Sequence, residues 1–273
     1  MTWTFTDDVG AFTEAAGASL AARPAGNTLL LTVTATLRES GPRAYGTEPP
    51  VLGWWRGADG EVAGALVWTP PFLPVLGRAA PEAVGALADA LALPGINADR
   101  DAAAVLAARW PRHRVEEEHR LYRLGTPVPP SPAPAGAARP ATTADRALLV
   151  GWMRAFGEET GQPGDRAERI VDERTEHGGL TLWEAGGEPV SMAGVSRRIA
   201  DTVRVSTVFT PPEHRGRGYA AAVTAEAGRV AREEGAREVL LFTDLANPTS
   251  NGVYLRIGYE PVSDRLLITA EPE

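Results

Sequence analysis

The sequence predicts an α/β protein of two lobes, and three observations point there. In the second half, short runs rich in β-branched residues alternate with segments whose apolar residues recur about every 3.6 positions. Between the halves lies GTPVPPSPAPAGAARPA, residues 125–141, which has few side chains to bury. Such a composition favours extended backbone and a semi-rigid spacer. The halves also echo each other, with VWTPP at 67–71 and VFTPP at 208–212. The expected boundaries are a first lobe over 1–125, a linker over 126–140 and a second lobe over 141–273.

From the N-terminus, VLGWWRGADGEVAGALVWTPP (51–71) reads as two strands joined by a glycine-bearing turn at 57–60. Residues 81–93 and 100–110 read as helices, and RLYRL (120–124) as a last strand. The order strand, strand, Pro-Pro, helix, helix, strand resembles that of the second half, which suggests a degenerate repeat. In that half, Leu148, Leu149, Trp152 and Phe156 place a helix over 143–157, and a charged, exposed helix follows over 165–177. LTLWEA (180–185) and PVSMAGVSRRI (189–199) read as strands joined by Gly186-Gly187. TVRVSTVF (202–209) is a strand stopped by Pro211-Pro212. Ala220, Val223, Ala227 and Val230 mark one face of a helix over 217–234, which Gly235 ends. EVLLFTD (238–244) has the continuous apolar centre of a buried strand. Residues 248–257 form a short helix with Asn247 at its N-cap and Pro248 at its first position. YEPVSDRLLIT closes the chain as one or two strands.

Composition excludes several chemistries. There is no cysteine, so no disulfide, thiolate metal site or cysteine nucleophile. All 27 basic residues are arginine, which removes a Schiff-base or P-loop lysine. The four histidines, at 113, 119, 177 and 214, lack ligand spacing, so no metal is expected. A net charge of -8 argues against a nucleic-acid partner. No apolar run is long enough for a membrane helix, and the first residues carry no export pattern. A cytoplasmic location is therefore expected. Oligomeric state has no sequence signal.

The segment with chemical content is TPPEHRGRGYAAAV, residues 210–223. A strand ends, a loop with two glycines turns, and a helix begins. The first amides of that helix have no internal partner, and the dipole adds positive character. Such a turn suits phosphate. Gly216 and Gly218 permit close backbone approach, and Arg215 and Arg217 can add charge-assisted hydrogen bonds. A turn with solvated arginines is the plainer alternative. The dinucleotide fingerprint fails, because its third glycine position is Ala221.

The arrangement Arg215-Gly216-x-Gly218-x-Ala220 resembles the acyl-CoA pyrophosphate motif of the GCN5-related N-acetyltransferase (GNAT) family. ANPTSNGVYLRIGYEPV, residues 246–262, is similar to that family's second block, with Asn247, Ser250, Tyr254, Gly258 and Tyr259 in matching places. The resemblance implies a mixed, mostly antiparallel central sheet flanked by helices, preceded by a second GNAT-like α/β lobe. It implies that acetyl-CoA is the co-substrate and an amine the acceptor; a small-molecule amine is expected, with polyamine-like compounds, amino sugars, antibiotics and protein N-termini or lysines all open. Val208, Phe209 and Thr210 would run beside the pantetheine arm, and an amide of Phe209 or Thr210 would polarise the thioester carbonyl. Residues Arg215, Gly216, Arg217, Gly218, Tyr219 and Ala220 would hold the pyrophosphate. Asn247 would contact the pantetheine or sulfur region. Tyr254 would protonate the leaving thiolate. Asn247 as a plain cap and Tyr254 as a packed aromatic stay open. Asn251 faces the same region without a task. For a general base, Asp244 and Glu213 are candidates, or no residue serves. The first lobe has only Gly77-Arg78 as an echo, so its cofactor site is expected to be lost. Trp54, Trp55 and Trp68 either line the acceptor pocket or pack the core. A CoA-binding sensor without catalysis and a transferase for a longer acyl group are the alternatives.

Overall fold

The computed structural model describes residues 2–161 and 164–271; residues 1, 162, 163, 272 and 273 of the expected lobes lie outside it. The elements in chain order are β1 (Trp3–Thr6), α1 (Val9–Ala21), α2 (Thr28–Ser40), β2 (Val51–Arg56), β3 (Val62–Trp68), β4 (Val75–Leu76), α3 (Pro81–Ala90), β5 (Gly95–Asp99), α4 (Arg100–Ala107) and β6 (His113–Leu124). There follow β7 (Ala137–Pro140), α5 (Arg146–Thr160), α6 (Ala167–Glu176), β8 (Leu180–Ala185), β9 (Glu188–Val195), β10 (Thr202–Phe209), α7 (Tyr219–Glu233), β11 (Glu238–Asp244), α8 (Pro248–Arg256) and β12 (Tyr259–Ala270). Among the described residues no helix is long and apolar enough to cross a membrane.

The chain divides into two compact units. Unit 1 takes Met1–Leu121, Asp244–Ala246 and Val262–Glu273; unit 2 takes Tyr122–Thr243 and Asn247–Pro261. In unit 1 the strands lie in the order β1-β2-β3-β4-β5-β12. The first three pairings are antiparallel, β4 and β5 are parallel at Val75↔Asn97, and β12 is antiparallel to β5. Phe12, Ala16, Leu30 and Leu37 of α1 and α2 pack with Leu52, Ala65 and Val67 in one core cluster. Val84 and Leu87 of α3 and Leu106 of α4 pack with Trp55, Leu66 and Ile96 in another.

Unit 2 repeats this plan in the order β7-β8-β9-β10-β11. Its first three pairings are again antiparallel, and β10 and β11 are again parallel. Leu149, Met153 and Val171 of α5 and α6 pack with Leu182, Met192 and Phe209. A second cluster joins Val203, Val205, Val239 and Leu241 of the sheet with Ala231 of α7 and Tyr254 of α8. Both units therefore run strand, helix, helix, three strands, helix, strand, helix. The echo that suggested the repeat is displaced by one strand, because VWTPP follows the third strand of its unit and VFTPP the fourth.

The Pro/Ala-rich segment, whose composition suggests a semi-rigid spacer, is tied to its surroundings by main-chain bonds. The division falls between Leu121 and Tyr122, and residues Val262–Glu273 group with unit 1. The Gly125 amide donates to the Gly258 carbonyl at 2.8 Å and that of Val128 to Ile257 at 3.1 Å. Ala137–Pro140 pairs with β8 as an edge strand, and the Trp183 indole donates to the Ala135 carbonyl at 3.0 Å. Main-chain groups in a side-chain-poor segment still need partners, and a sheet edge tolerates the proline that an interior strand would reject.

Candidate active site

The site begins where β10 parts from β11. Among the described residues their parallel register covers only Thr202–Val205 against Glu238–Leu241, yet both strands continue. On its other side, the pairing of β10 with β9 shifts between Ser206 and Phe209, and Thr207 sits at φ +55°. Such a bulge bends the strand and sharpens its twist, so main-chain groups on the β11 side are left open along its last residues. The strand end is then pinned by side chains. The Ser191 hydroxyl donates to the Phe209 carbonyl at 3.0 Å and lies 2.8 Å from the Thr210 hydroxyl. Arg215 Nε donates to the Thr210 carbonyl at 2.8 Å. The Phe209 ring is buried in the α5/α6 core, and Val208 is half-buried against the α7 face.

The loop after Pro211-Pro212 supplies the second part. Gly216 has φ +74° and Gly218 φ +82°. A Cβ on Gly216 would meet nothing within 4 Å, so its backbone conformation, not crowding, calls for glycine there. Gly218 is the N-cap of α7, and among the described residues no side chain caps that helix. The bond from the Ala222 amide to the Gly218 carbonyl spans 3.1 Å, so the amides of Tyr219, Ala220 and Ala221 precede the helix's own ladder. The two guanidinium groups of the loop have protein partners. Arg215 contacts Glu159 at 2.6 Å and lies 5.9 Å from the centre of the Phe209 ring, and Arg217 donates to the Glu213 carbonyl at 3.2 Å.

Asn247 caps α8 through a bond from the Ser250 amide to its Oδ1 at 3.0 Å. Tyr254 is buried beside Tyr122 and Tyr259, with ring centres 6.4 and 6.0 Å away. Burial pushes the Tyr254 hydroxyl up to about 12, which keeps it a proton donor at neutral pH. The Tyr259 hydroxyl is pushed up too, first by burial and then by Tyr254, and among the described residues it has no hydrogen-bond partner. Asn251 gains a task, since its Oδ1 accepts from the Tyr122 hydroxyl at 2.9 Å. Of the base candidates, Asp244 accepts from the Ala246 amide at 2.8 Å and groups with unit 1, and Glu213 is exposed in the loop. Among the described residues no group of His, Asp or Glu is placed to hold a metal ion.

Sequence reasoning missed Ser191 and Arg174. Ser191 had a signal, a lone hydroxyl within the apolar run of β9. Arg174 had none in a helix dense with charges of both signs.

Unit 1 handles the matching region differently. The Gly77 and Ala80 amides donate to the Ala65 and Ala63 carbonyls at 2.9 and 2.7 Å, and α3 opens with Pro81, which has no amide hydrogen. Arg265 is buried and donates to the Leu76 carbonyl, at the end of β4, and to the Asn97 carbonyl, both at 2.8 Å. The amide cluster is therefore smaller here, with the Glu82 and Ala83 amides preceding the helix's own ladder, and a guanidinium occupies the carbonyls at the strand end. Trp55 packs in the core and Trp54 against Phe12 at 6.5 Å, while Trp68 is half-buried.

A family model described as Acetyltransferase (GNAT) family matches residues 147–259. An acetyltransferase of the GNAT family from Colwellia psychrerythraea superposes with a TM-score of 0.65 at 11% identity, covering 100% of both chains. A GCN5-related N-acetyltransferase from Sphaerobacter thermophilus gives 0.63 at 18% identity, covering 99% of this chain and 96% of that one. One from Kribbella flavida gives 0.52 at 19% identity, covering 78% and 89%. No curated protein matches. The fold is thus shared over the whole length with proteins described as GNAT acetyltransferases, and residues 147–259 match that family's model.

Proposed function

We propose that the protein transfers an acetyl group from acetyl-CoA directly to the amine of a small-molecule acceptor. One observation carries this reading above the others: the wedge between β10 and β11 leads toward a helix start that no side chain caps. The two parts fit a diphosphate on an extended arm. The amides of Tyr219–Ala221 receive phosphate oxygens, and the open backbone of Val208–Thr210 pairs with the arm as a further strand would. An amide of Phe209 or Thr210 meets the thioester oxygen, where negative charge gathers in the transition state. When bound, acetyl-CoA supplies the activated acyl carbon. The new C–N bond forms as the C–S bond breaks, Tyr254 gives its proton to the departing sulfur, and the proton lost from the amine nitrogen passes to solvent, from which Tyr254 is reprotonated. No cysteine exists to hold the acyl group between steps.

Replacing Gly218 tests the assignment. Gly218→Asp adds a carboxylate at the helix start and forces a side chain onto a left-handed backbone. Coenzyme A affinity, measured by calorimetry, is expected to fall at least about tenfold, or about 1.4 kcal/mol. Unchanged affinity would remove the phosphate role from this turn.

A further inference from the structure

Arg174, on α6, is the charged group that the acyl-transfer reading leaves unused. Its Nη2 donates to the Ser206 hydroxyl at 2.9 Å and its Nη1 to the Thr207 hydroxyl at 3.1 Å. Both residues belong to the bulge that opens the wedge. The sheet makes room for it: a Cβ on Gly194 would lie 2.2 Å from Nη1. Among the described residues no carboxylate pairs with Arg174. The acid beside it, Glu173, is engaged with Arg169 at 3.2 Å, and Arg204 stands near enough to repel it. Burial first, and Arg204 second, push its guanidinium down to about 10. The residue still keeps some exposed surface, as do Arg204, Ser206 and Thr207.

Bracing the bulge explains the hydrogen bonds but not the charge. A glutamine amide could bond to the same hydroxyls without the cost of desolvating a cation. A surrounded guanidinium without a counter-ion is costly unless something anionic arrives. The two hydroxyls accept from Arg174, so each retains its own O–H to donate. One charge and two hydroxyls therefore gather as donors beside the bulge.

We propose that Arg174, Ser206 and Thr207 form a subsite for a carboxylate carried by the acceptor, so that the substrate class is amino acids and related amino carboxylates. This rests on the acyl-transfer reading for the word acceptor, but its test does not need turnover. Calorimetry on the full chain loaded with coenzyme A would compare pairs differing only in the carboxylate: alanine against ethylamine, and phenylalanine against phenethylamine. The carboxylate member is expected to bind at least about tenfold tighter in one pair or both. Arg174→Met should bring the pair within about twofold, and Arg174→Lys, which keeps charge without the fork, should fall between. Coenzyme A affinity and melting temperature report whether each variant is folded. No carboxylate preference in the unaltered protein, or a preference that Arg174→Met retains, overturns the subsite. Failure to bind coenzyme A would instead overturn the acyl-transfer reading.

Discussion

Tyr254 illustrates how much one side chain's surroundings decide. It is buried among aromatic rings, and burial alone moves its proton affinity upward. A donor that stays protonated is suited to meeting a leaving thiolate. Tyr254→Phe should lower turnover on the order of 100-fold. Coenzyme A affinity should hardly change, since the ring still packs. Equal turnover in steady-state assays would reduce Tyr254 to a core residue. The same shift predicts alkaline behaviour. The folded-state value lies above the usual one, so the stability it contributes is complete below about pH 10 and is lost as pH rises toward about 12. Melting temperature measured from pH 9 to 12 should fall over that window, and less steeply in Tyr254→Phe.

Among the elements, β7 depends on a small polar network. Arg139 donates to both carboxylate oxygens of Asp145 at 2.8 Å and to Glu184 at 2.7 Å. Asp145 also accepts from the Thr142 amide at 2.8 Å, completing a capping box ahead of α5. The guanidinium of Arg139 holds this carboxyl well below the usual carboxylate range. Its contribution is therefore present above about pH 4 and is lost as the pH falls further. Asp145→Asn is expected to cost about 1–3 kcal/mol at pH 7, and the deficit should shrink toward pH 3. A deficit independent of pH, followed by urea unfolding, would detach the ion pair from stability. Other elements differed in how plainly the sequence announced them. The glycine loop and the block from Asn247 to Tyr259 were legible because turns and caps demand particular residues. Segment α2, TLLLTVTATLRES, was not, because its β-branched residues suit strands and tertiary packing of Leu30, Thr34 and Leu37 decides the helix. Two-residue β4 is too short to show a period. The bulge at Ser206–Phe209 was equally silent, since Thr207 is not a residue that advertises a positive φ.

At the scale of the molecule, sequence halves and compact units are not the same. Tyr122 of unit 2 precedes the Pro/Ala-rich segment, and Val262–Glu273 of unit 1 follows the candidate site. A fragment over 141–273 would lack Tyr122, which is 1% exposed and touches the Tyr254 ring. It would also lose the β7 segment. Such a fragment is expected to melt without a sharp transition and to bind coenzyme A weakly, and the full chain is expected to do neither. A cooperative melt by calorimetry in the fragment would show that the borrowed residues are dispensable. Composition could mark the seam but not this exchange, because a strand's partner is set by long-range pairing that no local period reports.

The guanidinium of Arg265 has one more implication. Its tenancy is permanent, being part of the polymer, whereas the wedge beside β10 is open to a visitor from solution. Saturating coenzyme A should therefore slow deuterium uptake around residues 206–222 and leave uptake near Leu76 and Asn97 untouched, an asymmetry between two otherwise matching folds.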